Sequence, residues 1–190
     1  MDQLASLCGR RDSALLLDCR SLELEPVPLP DGVAVLIVDS GTRRALENTA
    51  YAERRAECET IAARLGLASL RNATAEQVGG EPRARHVVSE NARVLAFADA
   101  LRRRDVDALG PLLLASHASL RDDYEVSTPE LDALVEQLVS AGALGARLTG
   151  AGFGGSVVAV VPAARAAAIV RAVDAPSRLV RAVDGAVRIG

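Results

Sequence analysis

Residues 145–156 read GARLTGAGFGGS, and the reading of this stretch decides the fold. Four glycines, Gly150, Gly152, Gly154 and Gly155, fall within six positions. Glycine has no Cβ, so such a loop reaches backbone conformations closed to other residues. Its N–H groups can then come close to an anionic ligand or to another loop. Gly150, Gly152 and Gly155 spell G-x-G-x-x-G, a dinucleotide fingerprint when a helix follows at once. Residues 156–161, SVVAVV, follow instead, a β-branched run of strand type. A dinucleotide site is therefore disfavoured, and the pattern reads strand, glycine loop, strand. Taken alone, a tight turn and a ligand loop account for it about equally well. The rest of the chain shifts that balance.

Working outward, three amphipathic helices precede the loop. The nearest starts with Thr128 as N-cap and Pro129 at the first helical position, or with Ser127 as cap and Glu130 closing a capping box. Its core face is Leu131, Leu134, Val135, Leu138 and Val139, and Gly142 stops it. The next carries Val106, Leu109, Leu112, Leu113, Ser116 and Leu120 at helical spacing, and the first Ala84, Val87, Val88, Val94, Leu95, Ala98 and Leu101. Residues 49–65 form a further helix ended by Gly66. Residues 33–38, VAVLIV, are a continuous apolar run of the kind found in a buried central strand. Residues 13–19 and 22–29 are strands, the second an edge strand by its Pro26, Pro28 and Pro30. Residues 1–9 are a short helix whose Leu4, Leu7 and Cys8 have no preceding element to cover them. Beyond the glycine loop come a helix at 163–173 and a strand pair at 178–183 and 186–189. Strands and helices mix without strict βαβ alternation, so the expected class is α+β, a mainly antiparallel sheet covered by helices.

The chain has 190 residues, of which 49% are apolar and 2% aromatic, enough for a core of Leu, Val and Ala. Every basic residue is Arg, and the net charge of −3 gives no case for nucleic-acid binding. Cys8, Cys19 and Cys58 form neither a disulfide framework nor a zinc pattern, which suits a reducing cytoplasm. No signal peptide and no run of membrane-spanning length is present, so no membrane partner is expected. His86 and His117 each lack a second ligand at metal spacing and read as ordinary structural or surface histidines, so no metal site is expected. Asp122 and Asp123 read as solvated capping groups before a helix.

Read together, these pieces carry a resemblance. Met1-Asp2-Gln3, SALLLDCRSLE (13–23), YAERRAECE (51–59), RARHVVSEN (83–91), SHASLRDDYEVSTPELD (116–132) and the glycine loop resemble the carboxy-terminal half of galactokinases. That family belongs to the GHMP small-molecule kinases. The match covers nearly the whole chain in order, and its most specific parts are SLRDDYEVSTPELD and the loop. The resemblance implies phosphorylation of galactose by ATP with Mg2+. It places the catalytic aspartate of Gly-x-Met-Asp-Gln at Asp2, as acceptor of the proton of the sugar 1-hydroxyl. Tyr51 matches a tyrosine that contacts the sugar. Gly150, Gly152, Gly154 and Gly155 match the third family motif, which supports the phosphate loop, with Gly150 also near the substrate. Residues 121–125 are a family marker read as structural.

The family's ATP-cradling and main sugar-gripping motifs lie upstream of Met1, and no P-loop stands in for them here. Residues 1–30 are accordingly expected to be a remnant of a domain junction and residues 31–190 a GHMP carboxy-terminal-like domain. Met1 is either an internal codon taken as a start or the remnant of a broken gene. On this reading the chain alone shows no sugar kinase activity and associates through its uncovered amino-terminal face. Two other functions stand beside it: a non-catalytic binding or sensor module, and a kinase of another sugar such as N-acetylgalactosamine.

Overall fold

The structure is a computed structural model that describes residues 2–42 and 47–186; the side chains of residues 2 and 47–49 lie outside that description. The glycine stretch is flanked by two strands, β4 (Gly145–Thr149) and β5 (Ser156–Pro162), paired antiparallel with Thr149 opposite Ser156. No helix starts at Gly155 or Ser156. β5 pairs in turn with β3 (Val33–Asp39), and β3 with β6 (Ser177–Val180), giving a wholly antiparallel sheet in the order β4-β5-β3-β6. The α+β expectation holds. β3 is central as expected, but its apolar run is not buried throughout. Leu36 and Val38 are fully covered, while the alternate residues Val35 and Ile37 are half-buried. Period-two alternation of this kind follows from a sheet with one dry face.

That dry face carries Ala146, Leu148, Val157, Ala159 and Val161 as well, packed on α5 (Pro129–Ala141) and α6 (Ala166–Ala172). α5 begins as expected: Thr128 Oγ1 accepts from the Leu131 N–H, and Gly142 closes the helix at φ +101°. α4 (Val106–Asp122) lies against the outer edge of β4. Gly110 and Gly145 make that approach feasible, because a Cβ on Gly110 would sit 2.0 Å from the Leu144 carbonyl oxygen.

A second, two-stranded sheet pairs β1 (Ser13–Leu17) with β2 (Leu24–Pro28). Val27 of this hairpin joins a core with Ala98 and Leu101 of α3 (Pro82–Arg103) and Leu109 of α4. A third core joins Ile61 and Ala62 of α2 (Glu47–Arg64) to Ala84 of α3. The opening helix is α1 (Asp2–Cys8), and the segment 182–186 runs back along it, Ala186 N–H donating to the Ser6 carbonyl. No helix among the described residues is long and apolar enough to cross a membrane.

Three expectations need correction. Val94, Leu95 and Val139 sit at helical spacing but are exposed, 44%, 52% and 38%. Of the residues expected as a strand at 178–183, only 178–180 are strand, in β6, which pairs with β3; of the expected partner at 186–189, residues 187–189 lie outside the described residues. Asp122 and Asp123 end α4 rather than precede a helix.

Candidate functional site

A cleft of about 520 Å3 opens between the end of β1, the faces of α2 and α3, and the start of the glycine loop. Two of the residues singled out by sequence meet there, Tyr51 from α2 and Gly150 from the loop. They are 99 positions apart in sequence and share one wall-to-wall opening with His86, Glu90 and Tyr124. Asp2 is the first residue of α1, and its side chain lies outside the described residues. A larger, more open hollow of about 640 Å3 lies between α2 and α3. It is lined by charges already paired with one another, such as Arg83 with Glu57 and Arg64 with Glu81, and holds none of the expected site residues.

The glycine loop is built for close packing. Gly150, Gly152, Gly154 and Gly155 all have φ between +85° and +122°, a region open to glycine at little cost. A Cβ on Gly152 would fall 2.3 Å from the Val126 carbonyl oxygen, and one on Gly154 3.0 Å from that of Thr42. The Phe153 N–H donates to Val126 O at 2.7 Å and the Gly155 N–H to Thr42 O. Gly152 and Gly154 thus press the loop onto its neighbours, while Gly150 and Ala151 face the cleft.

What holds Val126 in place explains three of the stretches that looked distinctive in sequence. Arg54 Nε donates to the Tyr124 carbonyl at 3.0 Å. Arg83 donates to the Asp123 carbonyl and, at 2.6 Å, to Glu125, while Glu57 accepts from Arg83 at 2.7 Å. Arg85 pairs with the Asp123 carboxylate. Side chains from 51–59 and 83–91 therefore clamp residues 123–125, with Glu125 held at φ +53°. The clamped turn carries Val126, against which the glycine loop rests.

The strand leading into Gly150 is anchored on its outer edge. Leu148 N–H donates to Nδ1 of His117 at 3.3 Å, and its carbonyl accepts from Arg147 Nε at 2.9 Å. His117 Nε2 lies 3.0 Å from Asp132 on α5. Arg147 Nη1 reaches Glu90 at 2.6 Å and Ser116 at 2.8 Å, and Glu90 also pairs with Arg93. Burial pulls the Arg147 guanidinium down from its usual range, opposed by Glu90. At the other end of the cleft, hydrogen bonds from Arg71 and from the backbone of Arg20 and Ser21 hold Asp18 well below the usual carboxylate range. Burial pushes the Tyr124 phenol well above its usual range. His86, His117, Arg147 and Glu90 were not singled out as site groups in sequence. Their partners lie 26 to 57 positions away, so no local spacing points to them.

Among the described residues no group of three or more His, Cys, Asp or Glu side chains could hold a metal ion. The loop N–H groups of Phe153 and Gly155 are already spent on backbone carbonyls.

Comparison with known proteins agrees with this architecture. Residues 97–178 match the family model described as GHMP kinases C terminal. The chain is 47% identical to galactokinase from Bos taurus, covering 98% of this chain and 52% of that protein. It is 46% identical to galactokinase from Actinobacillus succinogenes, covering 85% and 46% respectively. The crystal structure of Lactococcus lactis galactokinase complexed with galactose superposes with a TM-score of 0.82 at 36% identity, over 96% of this chain and 53% of that one. Mevalonate kinase from L. major, at 22% identity and a TM-score of 0.59, shares the fold. The chain spans about half the length of the curated relatives it matches.

Proposed function

This chain belongs to the galactokinase family of the GHMP kinases, and from that premise we propose that it supplies the carboxy-terminal half of an ATP-dependent galactose kinase. The observation that carries the reading is the cleft, which brings Tyr51 of α2 and Gly150 of the loop to one opening in a chain 47% identical to a galactokinase. In this proposal galactose lies against Tyr51 and the Gly150–Ala151 backbone. Asp2 takes the proton of the sugar 1-hydroxyl as that oxygen attacks the γ-phosphate. ATP and Mg2+ are the co-substrate and counter-ion, held by residues other than those described here. Phosphoryl transfer is mostly a matter of positioning and charge stabilisation. The rigid loop, pinned through Val126 and Thr42, suits the positioning part.

The test is an assay of galactose 1-phosphate formation by the chain joined to the amino-terminal half of a galactokinase. Replacing Tyr51 by Ala is expected to raise KM for galactose roughly tenfold, with a smaller change in kcat. Absence of turnover in the joined, folded protein would contradict the proposal. An unchanged KM would remove Tyr51 from the sugar site.

A further inference from the structure

One group on the cleft wall has its protonation pattern fixed by its neighbours. His86 of α3 is 6% exposed, and its ring stacks on Tyr124 with centroids 4.6 Å apart. Nδ1 lies 3.0 Å from Ser119 Oγ. That hydroxyl has one proton, and it donates to Asp123 Oδ2 at 2.9 Å, a carboxylate paired with Arg85. Ser119 Oγ can then only accept from His86, so Nδ1 carries the imidazole proton and Nε2 keeps a lone pair. Burial holds the ring neutral, its pKa pulled down to about 4. Among the described residues Nε2 has no hydrogen-bond partner, whereas His117 Nε2 lies 3.0 Å from the Asp132 carboxylate. His86 lines the cleft.

We infer that His86 Nε2 is a fixed hydrogen-bond acceptor for one hydroxyl of the sugar in this cleft, and so a specificity-determining residue; the inference rests on the sugar-kinase reading above. A Tyr hydroxyl or an Asn amide can donate or accept. Nε2 of this ring can only accept, and the Ser119–Asp123–Arg85 chain prevents the tautomer from switching. A ligand without a donor at that point leaves the acceptor unpaired in a partly dry wall, which costs affinity. A phosphate oxygen there would meet a lone pair, so the transferred group is directed elsewhere in the site.

The chain contains two histidines, which allows side-chain 15N NMR on the 190-residue chain to read each ring separately. His117 is the internal contrast. Its Nδ1 accepts from Leu148 N–H, so its proton is on Nε2. At neutral pH His86 is expected as the Nδ1–H tautomer and His117 as the Nε2–H tautomer. On titration with galactose of the isotope-labelled chain joined to an unlabelled galactokinase amino-terminal half, the His86 Nε2 resonance is expected to move together with the Gly150 and Ala151 amides. His86→Asn keeps an amide donor near Ser119 but puts nothing at Nε2, and is expected to bind galactose about tenfold more weakly. His86→Gln carries an amide oxygen further out and should lose less. In a series of monodeoxygalactoses, one member should be indifferent to His86→Asn, identifying the hydroxyl. An Nε2–H tautomer on His86 overturns the inference. So does movement of the Gly150 and Ala151 amides with Nε2 unmoved, which leaves the sugar-kinase reading standing. No shift anywhere in the cleft overturns both. Should His86→Asn fail to fold, the wild-type tautomer and titration decide alone.

Discussion

At Gly152 the requirement for glycine is steric twice over: φ is +86° and a Cβ would strike the Val126 carbonyl. Gly152→Ala is expected to lower stability by about 2–3 kcal/mol, the sum of left-handed strain and a contact that must shift, measured by urea unfolding. Loss below about 0.5 kcal/mol would mean the loop is free to move off Val126. His86 makes a second residue-level prediction. Burial pulls its folded pKa from the ordinary 6.5 down to about 4, so the unfolded chain binds a proton more readily. Both states are neutral above pH 6.5, and stability is lost as pH falls from 6.5 towards 4. Burial shifts His117 in the same direction. Unfolding free energies at pH 7, 6 and 5 should decline in the wild type, with a shallower slope in His86→Gln. The sequence offered little warning of these roles. The glycines announce a loop but not what it rests on, and a histidine's meaning here depends on Ser119 or Leu148, more than 30 positions away.

The elements were largely legible in the sequence because their signals are local. Thr128-Pro129 starts α5, Gly142 ends it, and the β-branched run after Gly155 is the strand β5. Spacing could not reveal which apolar positions would be covered. Val94 and Leu95 fit the helical stripe of α3 yet line the cleft, because periodicity marks a face and not the element lying on it. The strand β6 pairs with β3, Ser177 lying opposite Val38 from 139 positions further along the chain, a choice set by topology. At this scale Arg147 is the joint between β4, α3 and α4 through Glu90 and Ser116. Arg147→Met leaves Glu90 with Arg93 and Ser116 but strips its partner from the strand. A loss of about 1–3 kcal/mol is expected from removing a charged hydrogen-bond partner of Glu90 and Ser116, read by chemical denaturation. A change under about 1 kcal/mol would show that the pair is effectively solvated. Thr128→Ala should cost about 1 kcal/mol through loss of the N-cap.

Over the whole molecule, several large apolar side chains are bare: Leu7 at 61%, Leu22 at 62% and Val183 at 61%. Apolar surface of this kind favours association, and among the described residues β6 is an edge of its sheet. The 190-residue chain is expected to scatter light as species larger than a monomer; a clean monomer with a cooperative melt would show that these residues tolerate water. Three apolar cores hold together the elements whose residues line the cleft. On the proposed function this cleft serves a galactose kinase with Asp2 as proton acceptor. The most direct measurement is kcat for ATP-dependent galactose phosphorylation by the chain joined to a galactokinase amino-terminal half, with Asp2 intact and as Asp2→Asn. The expected result is turnover by the first and a fall of roughly 10²–10⁴-fold in the second, with galactose affinity retained. Equal turnover by both proteins, or none by the folded parent, would contradict it.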